Sequence, residues 1–314
     1  MNVDTIEKAK ILTLNLPVAK RIIAIADVHG ELTLFKKLLD KVSFCDDDVL
    51  ILVGDLYLKG SQPHATLKFC MELSEQENVY ILRGNCDWGG DDYISDNERI
   101  WLENLPHIID TPTYTFVHAG LESGNIHNQD AMACMKTQNF MNISKGFDKW
   151  IIVGHWPVSN YNTKIPTHNP LINEEKKIIS IDGGNVVAPD GQLNAFIIEN
   201  TSFSSCYVDK FPLTKLDLQQ AESGGTLNIS YVDNEVEILE TSGELRTIKH
   251  LSTGKILTAP TAAFYYKHVG NLCVSDMATD YHLSYQAGEV IGVVAEFEDR
   301  IFAKKNGICG WIRK

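Results

Sequence analysis

Six residues with metal-binding side chains fall at the same kind of place in this 314-residue chain. Each stands at the end of a short apolar burst, usually beside glycine. Asp27 and His29 close RIIAIADVHG, Asp55 closes DVLILVGD and Asn85 closes NVYILRGN, while His118 and His155 follow TYTFV and KWIIVG. One Asp–Gly step after a strand is ordinary turn chemistry, and a single His is most often a hydrogen-bonded residue with no ligand role. Five such strand ends in order are not explained by turns. Carboxylate, imidazole and amide oxygen together suit Mn²⁺, Fe²⁺ or Zn²⁺ rather than Ca²⁺ or a thiolate-seeking metal, with Mn²⁺ the first expectation. Asp27 and His29, two apart in extended chain, share a face and can grip one ion. Asn85, His118 and His155 can grip another, and Asp55 is placed to bridge the two. Two ions ~3.5–4 Å apart clamp a phosphate and bind a hydroxide between them.

The elements that must position these residues are legible up to about residue 212. RIIAIAD, DVLILVGD and NVYILRGN read as buried strands. ELTLFKKLLDKV carries Leu34, Phe35, Leu38, Leu39 and Val42 at helical spacing. PHATLKFCMEL is a second helix with Pro63 in its first turn, and SDNERIWLENL a third, capped by Ser95 or Asp96. TYTFVHAG, KWIIVGH, KIISIDGG and NAFIIEN are further strands. Strands alternating with helices, then strand-rich sequence, predict a layered α/β domain over 1–212. Ligands of α/β sheets gather beyond the carboxyl ends of strands, where all six residues stand. A linker is expected over 213–224, around QQAESGG. From 225 to 314 the pattern is short β runs with turn signals, Asn306-Gly307 being a hairpin turn.

Composition bounds the rest. The formal net charge is −13 and the hydrophobic fraction 44%, ordinary for a globular chain. An acidic surface repels polyanions, which argues against nucleic acid as a partner. No apolar run approaches the ~20 residues of a membrane span, and the opening residues lack the apolar core of a signal peptide, so a cytoplasmic protein with no membrane partner is expected. Seven widely spaced cysteines without a C-x-x-C pair argue against a disulfide framework.

The set DVHG, GD, RGN, VHAG and VGHWP resembles the calcineurin-like metallophosphoesterase superfamily, over roughly residues 20–210. Within it the likeness is to the phosphoprotein phosphatase branch and its bacterial relatives, the symmetrical diadenosine tetraphosphatases. The resemblance implies a four-layer α/β/β/α sandwich, a two-metal centre and attack of water on phosphorus. Motif by motif, Asp27, His29, Asp55, Asn85, His118 and His155 inherit ligand roles. The implied substrate is a phosphorylated protein or a nucleotide, with a serine/threonine-phosphatase-like activity expected first.

Two departures qualify that expectation. The branch carries Gly-Asp-x-x-Asp-Arg-Gly, whereas this chain reads GDLYLKG, so Lys59 offers a point charge where an Arg would offer a bidentate fork. Arg83 remains as a candidate phosphate clamp. In GNCD, Cys86 takes the place of the branch's acid His, with Asp87 as the acidic residue that follows it. A thiol of pKa ~8.5 is a poor general acid, and losing that acid costs roughly 10²–10⁴-fold. The loss weighs most on poor leaving groups such as a serine alkoxide. A dinucleoside polyphosphate hydrolase or phosphodiesterase is therefore the rival, and a nearly idle scaffold working through its tail the second. That tail resembles bacterial SH3-like domains over about 255–314, which implies a peptide ligand.

Overall fold

The structure is a computed structural model that describes residues 7–16, 20–87, 94–268 and 271–314. The first six residues of the opening stretch read for a leader lie outside them. The chain divides into two compact units, the first comprising Met1–Val158, Asn169–Val186 and Gln192–Asp209.

The first unit is built on two mixed sheets. One contains β2 (Ile22–Ile25), β3 (Val49–Leu52) and β4 (Val79–Ile81), all parallel, continued antiparallel by β10 (Leu193–Glu199) and β11 (Ser202–Val208). The other contains β6 (Tyr114–Val117), β7 (Trp150–Val153) and β9 (Ile178–Ser180), also parallel, flanked by β5 (Ile108–Asp110) with β1 (Ile11–Thr13) on one side and β8 (Leu171–Asn173) on the other. Continuous apolar strands bury both faces. Ile22, Ala24, Val49 and Ile51 pack with Phe116, Ile152 and Ile179 of the other sheet, while the alternate residues Ile23, Ile25, Leu50 and Leu52 pack with helix residues.

Those residues come from α1 (Leu32–Lys41), α2 (Pro63–Leu73) and α3 (Asp96–Asn104). Leu34, Phe35, Leu38 and Leu39 form the buried stripe of α1, as their spacing predicts. Pro63 is in the first turn of α2, and Ser95 caps α3 in a reciprocal capping box with Glu98. Two short helices, α4 (Ala131–Lys136) and α5 (Phe140–Ile143), follow β6. They are too short to display an apolar period, which is why the sequence did not reveal them.

The second unit comprises Ser159–His168, Val187–Gly191 and Lys210–Lys314. It is all β: β12 (Leu213–Lys215), β18 (Val290–Glu296), β19 (Arg300–Lys305) and β20 (Ile308–Arg313) form one sheet, β13 (Val236–Ser242), β14 (Leu245–His250) and β15 (Ile256–Pro260) a second, and β16 (Phe264–His268) with β17 (Asn271–Val274) a third. The stretch 213–224 was expected to be a linker. Instead its first residues, β12, pair with Val290–Gly292 of β18. Backbone hydrogen bonding to an edge strand needs no apolar side chains, so a polar, exposed LTK gave no strand signal. The Asn306-Gly307 turn takes positive φ at both residues, 51° and 74°, as a two-residue hairpin requires.

Candidate metal centre

Loops at the carboxyl ends of five parallel strands, three from one sheet of the first unit and two from the other, converge on one point. Asp27 and His29 follow β2, Asp55 follows β3, Asn85 follows β4, His118 follows β6, and His155 follows β7. The loops extend the parallel ladders past the strand ends: Asp27 N–H donates to Gly54 O at 3.0 Å, His29 N–H to Asp55 O at 2.9 Å, and Gly154 N–H to His118 O at 2.8 Å. Glycine makes this closeness feasible. A Cβ on Gly84 would overlap the Asp55 backbone nitrogen and carboxylate, and one on Gly154 would overlap the Asp27 carboxylate.

The backbone is strained at the same place. Asp27, His29, Asp55 and His155 all adopt positive φ, between 50° and 64°. Such conformations cost ~1–3 kcal/mol each for residues with a side chain and cluster at functional sites.

The side chains face one another. His29 Nε2 lies 3.7 Å from both Asp27 Oδ1 and Asp55 Oδ2, and His118 Nε2 lies 3.3 Å from Asp55 Oδ1. Asp55 therefore stands between two imidazoles, the position of a bridging ligand. His118 Nδ1 sits 2.8 Å from the Val53 carbonyl. That contact fixes the proton on Nδ1 and leaves the Nε2 lone pair turned into the site. The Asn85 carboxamide lies against the His118 and His155 rings. Turned one way, its nitrogen donates to His118 Nε2 at 3.1 Å and His155 Nδ1 at 2.7 Å; turned the other, its oxygen joins both ring nitrogens as a third lone pair aimed at one point. The second orientation is one that a cation between the three atoms would favour.

Electrostatics point the same way. Burial pushes the His29 pKa down to about 4 and that of His155 down to about 3, so both rings are neutral at pH 7 and able to ligate. Burial alone would raise Asp55, but the His118 and His29 rings hold it at about 2. Asp27 is driven upward by burial and then by Asp182 and Asp55. Several buried carboxylates facing neutral imidazoles form a site short of positive charge, and divalent ions fit that deficit.

The sequence reading left out two residues. Asp182 follows β9 in IISIDGG, the same apolar-burst-then-carboxylate grammar as the other strand ends; it is buried, and burial with Asp55 pushes it up to about 7. Asn185 donates from Nδ2 to the Val28 carbonyl at 2.9 Å and so holds the loop that carries Asp27 and His29.

The four residues proposed for chemistry divide. Asp55 is central. Cys86 Sγ lies within 4.8 Å of ligand atoms of His29 and Asp55, at the site itself. Burial, then Asp55, raise its pKa further. Asp87 is placed differently from the expected partner of residue 86. Its carboxylate accepts the backbone N–H groups of Asp55 and Gly84, both at 2.8 Å, and of Leu56 at 2.9 Å. It is a positioning residue that ties the Asp55 loop to the Asn85 loop. Arg83 is buried, and burial lowers its pKa against the opposing pull of Asp87, Glu7 and Glu103. Lys59 Nζ lies 3.4 Å from His29 Nε2. Burial works against its charge, but Cys86 and Asp55 more than offset this and keep it protonated.

The chain is 29% identical over 118 residues to the symmetrical bis(5'-nucleosyl)-tetraphosphatase of Haemophilus ducreyi, an alignment covering 30% of this chain and 43% of that protein's length. Solved structures similar to the chain include a serine/threonine phosphatase from Saccharomyces cerevisiae with similarity to human phosphatase PP5 (14% identity, 65% of this chain and 85% of that one, TM-score 0.44). Another is a metallophosphoesterase from Sphaerobacter thermophilus (18% identity, 60% and 88%, TM-score 0.41). The family model described as calcineurin-like phosphoesterase matches residues 20–186, more than half of the chain and the whole of the convergent site. The chain belongs to the calcineurin-like phosphoesterases.

Proposed function

We propose that this phosphoesterase acts on substrates whose leaving group needs no proton: dinucleoside polyphosphates or activated diesters rather than phosphoserine. The observation that carries the reading is Cys86 at the centre, its thiol made a weaker acid still by burial and by Asp55. Asp27, His29 and Asp55 would hold one divalent ion, and Asp55, Asn85, His118 and His155 the other, with Mn²⁺ the first candidate. Two ions there supply positive charge for a phosphate and a nucleophile from water at neutral pH. The protein's own residues do the rest. Val53 and the Cys86 N–H orient His118 and Asp55, Asp87 holds two loops in register, and the Lys59 ammonium offers a charge beside His29 for a substrate oxygen. A phosphate leaving group departs at neutral pH without a general acid, whereas an alkoxide loses ~10²–10⁴-fold without one.

The likeness to a tetraphosphatase favours the same substrate class, and the likeness to a protein phosphatase keeps phosphoserine as the competing one. The two sheets, with α1 to α3 outside one of them, support the four-layer sandwich expected of the family. The second unit's β strands and buried Trp311 are compatible with an SH3-like tail that binds a peptide. The test is a panel with Mn²⁺: diadenosine tetraphosphate, an aryl diester, an aryl monoester and a phosphoserine peptide. Turnover of the first two well above the peptide is expected; preference for the peptide would overturn the reading.

A further inference from the structure

We propose that the second unit carries a structural metal site of the zinc class, formed by His168, Asp190 and Cys309. These residues come from three separated segments, Ser159–His168, Val187–Gly191 and strand β20, which share the second unit. All three are buried, with Cys309 at 0% and His168 at 1% exposure. Their donor atoms lie within 4.8 Å of one another. His168 Nε2 and Asp190 Oδ2 are 3.1 Å apart, close to the ~3.3 Å edge that follows from metal–ligand bonds of ~2.0–2.1 Å at the tetrahedral angle.

The donor set selects the metal. Thiolate, imidazole and one carboxylate form a borderline-soft triad, suited to Zn²⁺ and foreign to the all-oxygen shells of Mg²⁺ and Ca²⁺. Charge agrees with a divalent ion. Asp190 and a Cys309 thiolate carry two negative charges, which Zn²⁺ would match, while Lys304 Nζ donates to the backbone carbonyls of Asp190 at 2.6 Å and Gly191 at 3.2 Å. A nucleophilic Cys–His–Asp reading fails because no substrate reaches a thiol with 0% exposure. The ion would tie β20 to two segments more than a hundred residues earlier in sequence, a cross-link of the kind a disulfide makes elsewhere.

The test is cobalt substitution of the full-length protein. The Co²⁺-loaded protein is expected to show a near-ultraviolet thiolate-to-cobalt charge-transfer band. The Cys309→Ser variant should lose that band and one metal equivalent per chain, whereas Cys86→Ser should keep the band. Loss of the band with Cys86→Ser instead, or no band in the unaltered protein, overturns the proposal. If Cys309→Ser does not fold, X-ray absorption of the zinc-loaded Cys86→Ser variant, whose phosphoesterase centre has no sulfur to offer, decides. One sulfur at ~2.3 Å supports the site, and a shell of nitrogen and oxygen alone overturns it. The readout is sulfur ligation rather than turnover, so it does not depend on the phosphoesterase centre.

Discussion

Cys86 and Asp87 show how adjacent residues divide between chemistry and architecture. The sequence put Cys86 where the branch has its acid His, with Asp87 as the carboxylate that would orient that acid, but the backbone turns the Asp87 carboxylate onto three N–H groups, while Cys86 stays beside His29 and Asp55. Replacing Cys86 with His should restore a proton donor. Turnover of an aryl monoester by Cys86→His is expected to rise by ~10-fold or more, toward the lower end of general-acid contributions, while diadenosine tetraphosphate turnover changes little; equal effects on both would argue against a missing acid. The buried titratable groups give a second prediction. In the metal-free chain Asp27 is held well above the usual carboxylate range and Asp182 sits at about 7, so both release protons when a cation binds. His29 and His155, at about 4 and 3, have none to release above those values. Metal affinity therefore climbs as pH rises above about 4 and these carboxyl groups lose their protons. Thermal stabilisation by Mn²⁺ should be larger at pH 7.5 than at pH 5; a pH-independent gain would sink this account.

At the scale of elements, the site is a property of loops held in register by two parallel ladders. Sequence revealed the strands because buried parallel strands are continuous apolar runs, and it revealed α1 because its apolar stripe has the helical period. It did not reveal β1, β8 or α4 and α5, which are three to six residues long and carry no period. Asp182 was legible in principle, since IISIDGG repeats the pattern of the other strand ends, but an Asp before two glycines also reads as a turn. The tightness of the loops can be tested through Gly84. A methyl group there overlaps the Asp55 carboxylate, so Gly84→Ala should weaken metal binding by ~10–100-fold, the usual cost of disturbing a ligand's support. Calorimetric titration with Mn²⁺ measures this, and unchanged affinity would show that the loop relaxes freely.

At the scale of the molecule, the second unit is not a simple tail. It takes in Ser159–His168 and Val187–Gly191 from within the sequence that also builds the first unit. Cutting the chain after Asp209 removes the strands that bury His168 and Asp190. A 1–209 fragment should therefore express with lower solubility and melt below the full-length protein; a fragment as stable as the whole would refute that dependence. Residue order alone determined which side chains could bind metal and that they lie at strand ends, because apolar bursts, glycines and ligand types are local properties. Only the tertiary structure decided what those residues face: that Asp87 serves the backbone, that Asp182 joins the charged cluster, and that His168, Asp190 and Cys309 meet. Each of these depends on side-chain direction and on contacts between segments remote in sequence, which neither periodicity nor composition encodes.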